Sequence, residues 1–226
     1  MTIKETRPTK AATKILLVDD HAVFREGLQT LLQQEKEWSV CGQAEDAIQA
    51  LRLVESLKPD IAIVDISLEK TSGLELTQDL RRRFPRLFIL VLSMHKEALY
   101  AERCLRAGAN GYLMKQEDGK TLKTAVRTIL QGTTYVSDGV KDRLVQQVSG
   151  SGPLTTSPLQ RLSNRELEVF HLIARGFGTR QMADSLHLSM KTIETHREHI
   201  RNKLSLKTTF ELVQYALAWN STSRAA

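Results

Sequence analysis

Ile15-Leu16-Leu17-Val18-Asp19-Asp20 decides the fold: four large apolar residues run straight into two acids. Three more segments repeat the device. Ile61–Val64 is followed by Asp65, Leu87–Leu92 by Ser93, and Tyr112–Met114 by Lys115. Short runs rich in Ile, Leu and Val, bounded by turn or helix signals, read as buried parallel strands alternating with helices. In an open α/β sheet the ligand crevice lies outside the carboxyl ends of the strands. Three acids, a hydroxyl and an amine are therefore expected at one rim.

Working outward, the pattern predicts strands over 15–18, 39–43, 61–66, 87–93 and 111–114, with helices over 22–34, 46–57, 73–83, 96–106 and 121–131. Short connections and right-handed crossovers make this a doubly wound, five-stranded parallel sheet over residues 14–132. Residues 1–13, polar and basic, read as a disordered tail. Arg81-Arg82-Arg83 reads as a solvated helix end near the negative pole of its dipole.

Residues 133–160 read as a linker carrying one amphipathic helix over 137–148, with Val140, Leu144 and Val148 in line. The stretch 149–158 is uncharged and rich in Gly, Pro and Ser, a flexible composition. Residues 161–221 read as a small all-α domain of four helices. Ser163-Asn164-Arg165-Glu166 is a capping box opening the first, which runs to Arg175. Thr179 caps a second over 180–186, Ser189 a third over 190–204, and a fourth covers 209–219. Two helices joined by the His187-Leu188 turn have a helix-turn-helix layout.

A chain of 226 residues suits two domains. Cys41 and Cys104 form neither a disulfide framework nor a metal spacing, and read as reduced thiols of a cytoplasmic protein. No apolar run approaches a membrane span. Residues 161–226 carry a net charge of +4 while 15–148 sum to −1. A neutral globule followed by a basic one points to a polyanion meeting the second.

With strands one and three as neighbours, roughly 4.8 Å apart, Asp19, Asp20 and Asp65 crowd together. Such carboxylates need a cation between them or a raised pKa. Oxygen ligands with room for waters favour Mg²⁺. Asp65, at the centre, is the natural nucleophile for an acyl phosphate. Ser93 is placed to donate a hydrogen bond to it. Lys115, two strands over and roughly 10 Å away, has a stem long enough to pair with phosphoryl charge. Taken singly, Asp20 and Ser93 read more readily as helix caps and Lys115 as a solvated charge. Their joint placement at strand ends carries the reading.

Val18-Asp19-Asp20, Val64-Asp65, Leu92-Ser93 and Tyr112-Leu113-Met114-Lys115 resemble the receiver motifs of bacterial two-component response regulators. The resemblance implies a flavodoxin-like fold and phosphate accepted on Asp65 from a sensor histidine kinase. It also implies Mg²⁺ held by Asp19 or Asp20, Asp65 and the backbone carbonyl of Ser67, and a switch pair formed by Ser93 and Tyr112. Gln116 departs from the proline common after that lysine.

On a wheel of the third C-terminal helix, Ile193, His196, Ile200 and Leu204 share the inward face. Lys191, Thr195, Glu198 and Asn202 lie opposite, flanked by Glu194 and Arg201, a polar face suited to a major groove. Leu162–Val169, Ile173–Gly176, Lys191–His196 and Ile200–Leu204 resemble the LuxR-type helix-turn-helix, and the whole chain is similar to NarL/FixJ-type transcriptional regulators. That resemblance implies that Glu194, Thr195 and Glu198 face the bases of promoter DNA. Thr179, Ser189, Lys191, Thr192, Lys203 and Lys207 would contact its backbone. Leu212, Val213, Tyr215, Ala216 and Trp219 of the last helix are either a homodimer surface or core. A dimer when phosphorylated or on DNA, RNA polymerase as a further partner, and association with the nucleoid follow from the same likeness. Two rival classes are a magnesium phosphohydrolase and an adaptor that binds only protein.

Overall fold

The computed structural model describes residues 12–68, 72–94, 97–149, 158–186 and 188–224. Nearly all of the expected tail, the heart of the expected flexible linker, and His187 of the helix-turn-helix lie outside them. Five strands, β1 (Thr13–Val18), β2 (Trp38–Ala44), β3 (Ile61–Asp65), β4 (Phe88–Ser93) and β5 (Gly111–Met114), alternate with α1 (Ala22–Leu32), α2 (Ala47–Leu57), α3 (Gly73–Arg83), α4 (Glu97–Arg106) and α5 (Gly119–Leu130). All pairings are parallel and the order is β2-β1-β3-β4-β5. Strand order reverses between β1 and β3, so the crevice expected at a topological switch opens at their carboxyl ends.

Strand alternation sorts the side chains into two cores. Ile15, Leu17, Ile61, Ile63, Leu90, Leu92 and Leu113 pack beneath α1 and α5 with Leu28, Leu32, Leu122, Val126 and Ile129. Leu16, Val18, Ala62, Val64, Ile89, Val91 and Tyr112 pack beneath α2, α3 and α4. Both faces are buried, which is why the strands read as continuous apolar runs instead of alternating ones.

Helix ends follow local chemistry. Asp46, Ser72 and Asp118 cap α2, α3 and α5 by accepting from Gln49, Leu74 and Thr121 backbone N–H groups. The cap at Asp118 starts α5 two residues before the expected 121. Asp20 is not a cap: α1 starts after His21, whose side chain makes no capping bond. Arg81 departs from the expected solvated run. Its guanidinium donates to Gly108 O at 2.9 Å and Asn110 Oδ1 at 2.6 Å, tying α3 to the loop before β5, while Arg82 and Arg83 are exposed.

The C-terminal part holds α6 (Asp138–Ser149), a 3-10 turn (Pro158–Arg161), α7 (Asn164–Ala174), α8 (Thr179–Leu186), α9 (Met190–Lys203) and α10 (Thr209–Arg224). The Ser163/Glu166 capping box is present, each residue bonding the other's backbone. The 3-10 turn lies in sequence read as linker, because Leu159 is fully buried there. The last helix runs five residues past its expected end. The two parts touch along α4. Arg103 donates to Leu159 O at 3.0 Å, Gln160 O at 3.2 Å and Asn164 Oδ1 at 3.2 Å. The Tyr100 ring stacks on His171 of α7, centroids 5.5 Å apart.

Candidate functional site

Register assembles the rim. Val18 pairs with Val64, which sets Asp19 beside Asp65. Asp65 pairs with Leu92, and Ser93 with Met114. Ser93 thus lies one residue beyond the level of Asp65, and Lys115 two beyond. Lys115 N–H donates to Ser93 O at 2.8 Å, extending the ladder past the strand. Its side chain then folds back over the rim. Nζ lies 2.7 Å from Asp19 Oδ2, 2.8 Å from Asp65 Oδ2 and 4.5 Å from the centre of the Phe24 ring on α1.

Asp19 and Asp65 are each 2% exposed. Burial pushes the Asp65 carboxyl upward, opposed by Lys115 and reinforced by Asp19. Burial also opposes the charge on Lys115, but Asp65 and Asp19 outweigh it and hold the ammonium above its usual range. The pocket therefore carries more negative charge than one lysine neutralises. The backbone holds the carboxylates in place: His21 N–H donates to Asp19 Oδ1 at 2.9 Å, and Ser67 N–H to Asp65 Oδ1 at 3.2 Å.

Alternation also divides the pocket. Lys115, two residues on from Leu113, approaches from the α1/α5 side. Ser93, two on from Val91, belongs to the α4 side with Tyr112. Tyr112 is fully buried and its hydroxyl is hydrogen-bonded to Ser93, with burial driving its pKa strongly up. The two expected switch residues are therefore in contact. After Lys115 the chain turns through a Glu117 N–H to Met114 O bond of 3.1 Å, leaving Gln116 exposed.

Two neighbours were not foreseen from sequence. Arg25, 7% exposed, donates to the Asp19 backbone carbonyl and pairs with Glu45 at 3.0 Å. An arginine on the inner face of a helix signals such a buried anchor, but only once the strand it meets is known. His21 lies with Nδ1 2.7 Å from Asp20 Oδ1. Asp19, Asp20, His21 and Asp65 each offer one ligand atom, all within 4.8 Å of one another. Hard carboxylate oxygens gathered around excess negative charge fit a divalent metal ion.

In the second part, Ser189 caps α9 by accepting from Thr192 N–H at 3.0 Å. Ile193 and Ile200 are fully buried, and burial lowers the pKa of half-buried His196. Lys191, Glu194, Thr195, Glu198 and Asn202 stand exposed on the other face, the division expected from the wheel. Thr179 Oγ1 accepts from Arg197 at 2.7 Å, and exposed Lys207 sits beyond the end of α9. Lys203 Nζ is 2.7 Å from Glu166, a bond that ties α9 to the start of α7. On α10, Leu212 and Ala216 are fully buried, and Tyr215 and Trp219 pack on Phe170. The large apolar side chains that α10 exposes are Phe210, 68%, and Leu217, 47%, with Val213 half-buried beside them.

Residues 15–127 match the response regulator receiver domain, and residues 160–216 match the bacterial regulatory proteins of the luxR family. The oxygen regulatory protein NreC of Staphylococcus aureus is 40% identical over 209 residues, covering 90% of this chain and 96% of NreC. RcsB of Salmonella enterica serovar Typhimurium, solved on the promoter rprA with the phosphomimetic BeF3⁻, is 27% identical with a TM-score of 0.62, covering 91% of this chain and 98% of RcsB. A LuxR-family response regulator from Aurantimonas sp. SI85-9A1 is 32% identical with a TM-score of 0.57, covering 62% of this chain and 99% of that one. No helix among the described residues is long and apolar enough to cross a membrane. A receiver rim at one end, an exposed reading helix at the other, and likeness to NreC across both place this chain among the two-component response regulators with a LuxR-type helix-turn-helix: it is a DNA-binding transcriptional regulator, not a catalytic enzyme.

Proposed function

We propose that Asp65 is the phosphoryl acceptor and that its phosphorylation by a sensor histidine kinase controls binding of the C-terminal domain to promoter DNA. The observation that carries this is the Asp65 carboxylate, buried at the pocket centre and flanked by Asp19 and the Lys115 ammonium. An Asp65 oxygen attacks phosphorus as the bond to the donor breaks, leaving an acyl phosphate. Lys115 then pairs with the added charge from the α1/α5 side. Ser93 exchanges its bond with Tyr112 for one to a phosphoryl oxygen, which couples the acceptor to α4. Asp19 or Asp20, Asp65 and the Ser67 carbonyl would hold Mg²⁺, which would supply neutralisation and orientation of the incoming group.

The functional units are a receiver over 14–132, a connecting segment over 133–160 and a DNA-binding domain over 161–221. Glu194, Thr195 and Glu198 read bases, with Lys191, Thr192, Ser189, Thr179 and Lys207 along the phosphates. The Lys203 bond to Glu166 leaves its ammonium partly committed, so its phosphate contact is the weakest of the set. RcsB is described as dimers on DNA. A homodimer here is supported by the exposed apolar side of α10. Action in the cytoplasm at the nucleoid, with RNA polymerase as a further partner, completes the reading. Labelling by a small phosphodonor with Mg²⁺ tests it: Asp65→Asn abolishes labelling while the fold survives, and undiminished labelling refutes the acceptor.

A further inference from the structure

We propose that Glu168 of the DNA-binding domain is a positioning residue for the acceptor: it fixes Ser72 at the head of α3 and so seats that helix against Asp65. The inference rests on the acceptor reading above and names what steadies Asp65 from outside the receiver. Asn164, Glu168 and His171 fall at i, i+4 and i+7 of α7, one stripe of the helix. Asn164 accepts from Arg103 and His171 stacks on Tyr100, both on α4. Glu168 is instead hydrogen-bonded to the Ser72 hydroxyl.

Ser72 is 5% exposed and bonds in two directions. Its Oγ accepts from the Leu74 N–H at 3.4 Å, which caps α3, while its O–H donates to the Glu168 carboxylate. A hydroxyl engaged as both donor and acceptor is held in one orientation. The carboxylate also stands at the positive end of the α3 dipole. Glu168 is itself aimed. Arg165 pairs with it at 2.7 Å and donates to Leu186 O at the end of α8, also at 2.7 Å. Burial pushes the Glu168 carboxyl up, opposed by Arg165 and then by Ser72. Partners, not solvent, hold the charge at the boundary between the domains.

The next link is backbone. Gly73 N–H donates to Ile66 O at 2.9 Å, and a Cβ at Gly73 would fall 1.9 Å from Asp65 O. No gap remains to absorb a movement of Ser72. Ser67, one residue past Ile66, donates its N–H to Asp65 Oδ1 at 3.2 Å. Loosening the head of α3 therefore displaces the backbone that fixes the Asp65 carboxylate, and small displacements of reacting groups are costly in rate.

The test is the rate at which acetyl phosphate with Mg²⁺ labels the full chain, in a double-mutant cycle, with circular dichroism and melting establishing that each variant is folded. Glu168→Met keeps the bulk, removes the acceptor oxygens and slows labelling about fivefold, within the range by which residues along a contiguous network act on a distant site. Glu168→Gln keeps an oxygen for the Ser72 hydroxyl and recovers most of the rate, which the charge pair with Arg165 would not do. Ser72→Ala slows labelling to a similar degree, and adding Glu168→Met to it changes the rate by less than about twofold. A wild-type rate in Glu168→Met, no recovery in Glu168→Gln, or losses that multiply in the double variant overturn the proposal. Asp65→Asn is labelled in parallel. If it abolishes labelling, the acceptor reading stands whatever Glu168 does; if labelling persists, that reading fails and this proposal falls with it.

Discussion

Replacing Gly73 with alanine is expected to cripple the acceptor without touching a charged atom. Gly73 opens α3, and its N–H donates to Ile66 O at 2.9 Å, one residue past Asp65. A Cβ built there falls 1.9 Å from Asp65 O and 2.8 Å from both Asp65 C and Ile66 Cα. These are backbone atoms at the end of central strand β3 and of the residue after it, so no rotamer relieves the clash. Restoring ordinary contact needs a shift of about 1.5 Å, and a displacement of about 1 Å already costs roughly 10²-fold when it misplaces reacting groups. Forcing atoms into a packed site also costs about 1–3 kcal/mol of stability. Gly27 on α1 provides the control, since a Cβ there meets nothing within 4 Å. Gly27→Ala is expected to stabilise by about 0.5–1 kcal/mol, through the gain in helix propensity. The assay is the rate of labelling by a small phosphodonor with Mg²⁺, beside thermal melting of each variant. Gly73→Ala labelling at the wild-type rate, with an unchanged melting temperature, would refute the claim that α3 is seated against the acceptor strand.

Lys115→Met leaves Asp19 and Asp65 without their shared cation; unfolding by urea at neutral pH should show a loss of about 3–5 kcal/mol, typical of breaking a buried pair. Because the folded pKa of Lys115 lies above 10.5, its stabilisation in the wild type is complete below that pH and disappears as pH rises through the higher value. Burial raises the Glu166 pKa, but bonds from Lys203 and Ser163 outweigh it and hold the net value below the usual 4.5, so the stability it adds is present above 4.5 and is lost as pH falls beneath it. Lys203→Ala should flatten that acid limb, measured by melting across pH 3–6. Arg103→Ala removes three hydrogen bonds between α4 and the C-terminal part; small-angle scattering should report a larger radius of gyration while circular dichroism stays unchanged. Lys191→Ala is expected to weaken binding to all duplexes alike and to reduce the slope of log affinity against log salt by about 1, whereas Glu198→Ala should instead relax sequence preference.

The strands, the sheet order and the gathering of polar side chains at one rim were legible because buried parallel strands leave an unbroken apolar signature and because acids, a hydroxyl and an amine terminate them. The face division of α9 was legible from helical period alone. Features that depend on distant partners were not. Arg81 reads like its two solvated neighbours until Gly108 and Asn110 are brought beside it. Leu159 sits in composition that looks like tether, and only the packing of α7 reveals why it is buried. Arg25 belongs to the pocket through the tertiary approach of α1, which no local pattern encodes, whereas His21 stands there because it follows Asp20 directly in the chain. The extension of α10 to Arg224 follows from a continuing run without Gly or Pro, where the apolar stripe used to place its end had already stopped.

The grip of α4 on α7 has a consequence for how such a molecule searches a chromosome. Tyr100 and Arg103 hold the C-terminal part by its first helix and the turn before it, and the polar edge of α9 stays in water. A lone copy can therefore touch duplexes before any signal arrives, sampling them with weak, salt-sensitive encounters. In the homodimer proposed above, the restraint would limit the angle at which two copies sit side by side, and on that reading signalling would govern dwell time on paired sites more than first arrival.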